Sequence, residues 1–204
     1  MSAATPELPD GLVYRADFLA PEEEDDLLVL FAGIEFRTVE MRGQVAKRAV
    51  RHYGLDYDYE SGDLVPAEPI PEPMRWLRDR CAALMEREPE DLVQILVSRY
   101  AEGAGIGWHR DAPMFGSTIA GVSLRAPCRM RFQRTVKGQR STAAIELAPR
   151  SAYLLSGAAR WSWQHSIPAT KDLRYSVTFR TLRREPRHPA GPGDRTARRA
   201  NTSA

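Results

Sequence analysis

Cysteine is scarce in this chain of 204 residues, which holds only Cys81 and Cys128. The two form neither a metal-binding spacing nor a disulfide framework, and they read as buried free thiols of a reducing compartment. Long apolar runs are also missing: nothing approaches the roughly 18–20 residues of a membrane span. The N-terminus lacks the basic-then-apolar pattern of a secretion signal. Net charge is nearly absent at +2, so bulk charge selects no partner. Its distribution is uneven, because six arginines from Arg183 onward face only Glu185 and Asp194, leaving the body slightly acidic. No internal repeat is visible. These absences predict a soluble cytoplasmic protein with no membrane contact and no obligate protein partner. With 43% hydrophobic residues, the chain suits one domain with a sizeable core.

Residues 1–11 read as a flexible leader, 12–183 as the domain, and 184–204 as a disordered basic tail. Pro21 followed by five acids opens a helix, with Leu27, Leu28, Leu30 and Phe31 on its buried side. Residues 34–41 and 45–53 read as two strands around a turn. The prolines at 66, 69, 71 and 73 exclude regular structure, and Met74, Leu77, Cys81, Leu84 and Met85 then recur at helical steps. Beyond them, 92–100, 118–124, 128–134, 143–147, 151–155 and 173–182 read as short strands. Helices followed by this many strands predict an α+β, mainly β fold: a jelly roll flanked by N-terminal helices.

Histidine is rare, with four in the chain. His109 and Asp111 sit two apart in Trp108-His109-Arg110-Asp111, so in extended backbone both leave the same face. A third metal ligand would have to be another histidine. His188 lies in the tail and His52 in a basic segment, which leaves His165 as the best candidate. Two imidazoles and one carboxylate suit a non-haem Fe(II) with positions open for O2. The run 174–180 alternates strictly, with Arg174, Ser176, Thr178 and Arg180 on one face. Either that face meets an anion, which an arginine fork reads bidentately, or this is an edge strand with solvated arginines. The glycines at 103, 105 and 107 are not a phosphate loop, since no Gly-Lys-Ser/Thr follows; they let the backbone turn tightly before the ligand pair.

His109-Arg110-Asp111, His165, and Arg174 followed six residues later by Arg180 together resemble the AlkB-like Fe(II)- and 2-oxoglutarate-dependent dioxygenases, over most of residues 10–183. The approach segment Ser98-Arg99-Tyr100-Ala101-Glu102-Gly103 is similar as well. The resemblance implies a double-stranded β-helix. It implies Fe(II) held by His109, Asp111 and His165, with 2-oxoglutarate and O2 as co-substrates. Arg174 would take the distal carboxylate of 2-oxoglutarate, aided by Tyr100, Ser98 and Ser176, while Arg180 acts nearer the metal and substrate. About 20 Å of straight strand separates the two arginines, too far for one small molecule to touch both. A β-hairpin lid over about 34–65 would cover the substrate. In it, the cations around Arg48 and Arg51 would hold phosphates, and Tyr57 and Tyr59 would stack on bases. Arg134 is a further candidate substrate contact.

The implied reaction is oxidative demethylation of N-alkylated bases in single-stranded or flipped-out nucleic acid. One departure bears on it: repair members often carry a further acid two residues beyond the ligand pair, and here that position is Pro113. The alternatives are the same chemistry on a protein, a modified transfer RNA or a small molecule, or a binding module without turnover.

Overall fold

The computed structural model describes residues 8–41, 44–57 and 64–183. In chain order the elements are β1 (Leu12–Arg15), α1 (Pro21–Ala32), β2 (Arg37–Met41), β3 (Gln44–Tyr53), β4 (Leu55–Tyr57), β5 (Leu64–Pro66), α2 (Arg75–Leu84) and β6 (Leu92–Tyr100). They continue with β7 (Ile106–His109), β8 (Phe115–Leu124), β9 (Cys128–Val136), β10 (Gln139–Leu147), β11 (Ser151–Leu155), α3 (Gly157–Trp161), β12 (Gln164–Ile167) and β13 (Arg174–Leu182).

Two antiparallel sheets face one another. The larger runs β1-β11-β8-β13-β6-β3-β2 and the smaller β10-β9-β12-β7. This is the expected double-stranded β-helix. Central strand β6 is apolar nearly throughout because both of its faces are covered. Behind the large sheet, α1 and α2 bury Leu27, Phe31, Leu77 and Cys81 against Ile95, Val97, Val177 and Phe179. Leu28 and Leu30, expected on the same buried side, are only partly covered. Burial of each large side chain stabilises the fold by roughly 1.5–3 kcal/mol.

Between the sheets lies a second core of Tyr100, Met130, Phe132, Leu147, Tyr153 and Leu155. Cys81 and Cys128 belong to these two different cores and remain free thiols. No helix among the described residues is long and apolar enough to cross a membrane.

The hairpin read as a substrate lid is the edge of the large sheet, since β3 pairs with β6 from Arg48 opposite Tyr100 to Tyr53 opposite Ile95. Strands β7 and β12 were not expected. Each has four residues, and the one is glycine-interrupted and the other polar, so neither displays an alternating pattern. Two of the three glycines before the ligand pair are needed. Gly103 has φ +74, and a Cβ on Gly105 would stand 2.6 Å from the Ile167 carbonyl oxygen. Gly107 faces open space.

Candidate active site

Period-two alternation decides which side chains of the large sheet face the small one. Register pairing aligns Arg48, Tyr100 and Arg174 in one row, and Val50, Ser98 and Ser176 in the next. Ser98 and Ser176 are therefore buried side by side on the face turned toward the small sheet. Arg51, by contrast, alternates to the opposite face. It pairs there with Glu68 and lies over the Tyr53 ring, so it is no part of a substrate lid. Tyr57 ends β4, and Tyr59 lies outside the described residues.

Pairing β12 with β7 sets His165 directly opposite His109, their ring centroids 4.3 Å apart. Asp111 follows β7 and turns back beneath them, its Oδ2 3.6 Å from His165 Nε2. The His109 Nδ1 lies 2.9 Å from the Gly107 carbonyl, which makes it the protonated nitrogen and leaves a lone pair on Nε2. Burial pushes both imidazoles toward the neutral form, His165 down to about 4. Burial pushes Asp111 the other way, but Arg180, His165 and His109 outweigh it and hold the carboxyl well below the usual carboxylate range. A neutral imidazole pair beside an ionised carboxylate is the protonation state a metal requires.

Among the described residues no three such side chains yet stand at chelating distances. Arg180 grips Asp111 Oδ1, so one carboxylate oxygen is engaged by a guanidinium. The donor set nonetheless fits Fe(II) with open positions, since the second oxygen and both imidazoles converge. Arg180 is held in turn by Gln94, which is fully buried, accepts from its Nη1 at 2.8 Å and donates to the Leu55 carbonyl at 2.9 Å.

Arg174 lies at the other end of β13, fully buried. Its Nη2 donates to Ser123 Oγ at 2.9 Å and its guanidinium rides 4.8 Å from the Tyr100 ring centroid. Its Nε and Nη1 have no partner, and no carboxylate of a described residue pairs with it. A buried guanidinium left in this state costs several kcal/mol. This rules out the edge-strand alternative: β13 is central, between β8 and β6.

Sequence reasoning missed three contributors. Ser123 is one, hidden within a plain β8 pattern. Arg160, only 2% exposed, is another; it donates to the carbonyls of Asp111 (3.0 Å), Ala112 (2.8 Å), Gly116 (3.3 Å) and Phe115 (3.4 Å). It clamps the loop that carries Asp111. The third is His52, buried on the site face of β3 with its pKa pushed down to about 4 by burial. Its Nδ1 is 2.7 Å from Asp56 Oδ1 yet lacks hydrogen-bond geometry. No local pattern marks any of these roles.

A cavity of about 670 Å³ opens over His109 and Asp111, walled by Arg48, Arg110, Arg160 and Arg180 and by Trp108 and Phe115. His165, Tyr100 and Arg174 lie deeper, between the sheets. Pro113 lines the cavity, and among the described residues Asp111 is the only acid in its wall. Arg134 stands outside, over the Trp163 ring.

Comparison with known proteins agrees with this architecture. Residues 11–185 match the 2OG-Fe(II) oxygenase superfamily. The chain is 28% identical over 177 residues to the tRNA (carboxymethyluridine(34)-5-O)-methyltransferase alkbh8 of Xenopus tropicalis, covering 82% of this chain and 26% of that protein. It is 30% identical over 217 residues to the alkylated DNA repair protein ALKBH8 homolog of Arabidopsis thaliana, covering 86% and 59%. The chain thus spans from about a quarter to somewhat over half of these relatives. In fold it is similar to OsALKBH1, with TM-score 0.68, 17% identity, and 86% of this chain and 98% of that one covered. A Pseudomonas putida prolyl-4-hydroxylase superposes with TM-score 0.60 at 14% identity, covering 85% and 93%. The chain belongs to the 2OG-Fe(II) oxygenase superfamily, enzymes of Fe(II), 2-oxoglutarate and O2, and within it is similar to AlkB-like members.

Proposed function

We propose that this enzyme oxidises an N-alkylated base in nucleic acid, with His109, Asp111 and His165 holding Fe(II) and Arg174 holding the distal carboxylate of 2-oxoglutarate. The observation that carries the co-substrate assignment is Arg174 itself: wholly buried, with two guanidinium nitrogens unpartnered. When bound, Fe(II) couples oxidative decarboxylation of 2-oxoglutarate to succinate and CO2 with hydroxylation of a substrate C–H bond. On an N-methyl group the hydroxymethyl product breaks its C–N bond to give formaldehyde and the restored base.

The chain's own residues orient and enclose. Asp111 and the two neutral histidines present their donors from one side. Arg160 fixes the backbone that carries Asp111, and Arg180 steadies its carboxylate. Tyr100 packs under the Arg174 guanidinium and keeps it facing inward. The arginine-walled cavity attracts a phosphate-bearing substrate, and Trp108 and Phe115 offer faces to a base.

Pro113 favours a second reading. Without an acid at that position the described residues give the cavity no free carboxylate to accept from a cationic methylated base. A neutral modified base in RNA, hydroxylated without loss of its substituent, fits the same walls, and one relative is named for a transfer-RNA uridine. Incubating the iron-loaded enzyme with methylated DNA, methylated RNA and bulk transfer RNA separates the two. Formaldehyde release supports demethylation, and a mass gain of one oxygen on RNA without formaldehyde supports the second reading. Succinate formation with none of these substrates would remove the nucleic-acid reading.

A further inference from the structure

Two other cavities adjoin the one above His109 and Asp111, and their charges differ. The first, about 650 Å³, lies beyond Trp161 and mixes Arg87 and Arg183 with Glu90 and Asp91. The second, about 480 Å³, shares Arg110 and Gln164 with the active-site cavity and adds Gln133, Arg134, Arg140 and Ser162. Among the described residues it holds three guanidiniums and no carboxylate. Arg110, Arg134 and Arg140 are all exposed, and none forms an ion pair with a described residue.

Their placement is ordered. Arg140 Nη2 donates to Gln133 Oε1 at 2.5 Å, and Gln133 Nε2 donates to Gln164 Oε1 at 3.0 Å. Arg134 lies 4.7 Å over the Trp163 ring. Three like charges held together without a counter-ion repel one another, so the arrangement is stabilised only when an anion arrives. Planar guanidinium forks beside amide and hydroxyl groups match phosphate oxygens. The mixed-charge cavity offers no such surplus.

We propose that the Arg110–Arg134–Arg140 cavity seats the phosphates of a single-stranded nucleic acid next to the target nucleotide, so that the strand leaves the active site across the β9–β10 hairpin and not past Trp161. This rests on the nucleic-acid reading above and adds the path of the strand. Arg110 and Gln164, shared by both cavities, mark where the strand crosses from one to the other.

The test is the salt dependence of binding, measured by fluorescence anisotropy of labelled single-stranded DNA and RNA on the iron- and 2-oxoglutarate-loaded enzyme without O2. Each phosphate contact contributes about −0.7 to the slope of log affinity against log salt. R134Q and R140Q should each lower the magnitude of that slope by about 0.7, and the double variant by about 1.4. R87Q and R183Q, in the mixed-charge cavity, should leave it unchanged. Unfolding temperatures of all five variants check that the fold is kept. Binding by the wild type with slopes unmoved in R134Q and R140Q overturns the proposal while the nucleic-acid reading stands. Slopes that move in R87Q and R183Q place the strand in the other cavity and overturn it too. No binding to either oligonucleotide, with binding to a polyglutamate peptide instead, overturns both.

Discussion

His109 and His165 stand directly opposite one another across the β7–β12 pair, 4.3 Å between ring centroids, although more than fifty residues separate them in the chain. Antiparallel register is what brings the two imidazoles over one carboxylate, and the chemistry of the site follows from that pairing.

Replacing Asp111 by alanine removes the only carboxylate that the described residues place in the cavity, and the partner of Arg180. Succinate formation should fall to background, and the purified protein should retain no iron after dialysis. Iron bound as tightly as in the wild type would show that the carboxylate is not a ligand.

Arg174→Met tests the anion seat. Charge-assisted hydrogen bonds of about 1.5–3 kcal/mol each predict a 2-oxoglutarate KM raised roughly 10- to 100-fold or more. Without co-substrate the variant should be at least as stable as the wild type, because it removes a buried unpaired cation. 2-Oxoglutarate should raise the unfolding temperature of the wild type and not of the variant. A strongly destabilised Arg174→Met would instead mark the residue as structural.

Arg160→Met leaves four carbonyls of the loop 111–116 without their donor. Urea unfolding should show a loss on the order of 2–5 kcal/mol, together with weaker iron binding. Lysine should rescue little, since one ammonium cannot reproduce the fork.

Acid should destabilise the metal-free protein through His52. Its folded pKa is pushed from the ordinary 6.5 down to about 4, mainly by burial, so a proton favours the unfolded chain. The stabilisation is complete above about pH 6.5 and fades as the pH falls through 6.5 toward 4. His52→Leu should make the stability curve shallower in that window, and His165, which burial also pushes down to about 4, should supply the slope that remains. An unchanged curve would place the titration elsewhere.

Arg51→Ala should change little. The residue pairs with an exposed Glu68 on the face of the sheet turned away from the cavity, a contact of at most about 1 kcal/mol. Nucleic-acid affinity should match the wild type, whereas Arg48→Ala, whose side chain lines the cavity, should weaken it.

By itself the sequence determined the strand-rich body, its two packing helices, the imidazole–carboxylate pair at 109 and 111, and an arginine-bearing face on β13. These are written in local spacing: nearly continuous apolar runs in β6 and β11, period two in β13, helical steps from Met74 to Met85, and an imidazole two residues from a carboxylate. Tertiary structure alone decided what stands against what. Register placed His165 opposite His109, and alternation turned Arg51 away while keeping Arg48 in. Packing buried Arg160 where it reaches the carbonyls of the Asp111 loop, and Gln94 where it holds Arg180. Such contacts join residues distant in sequence, and no local periodicity encodes them. The burial that makes each polar group matter exists only once the two sheets have closed.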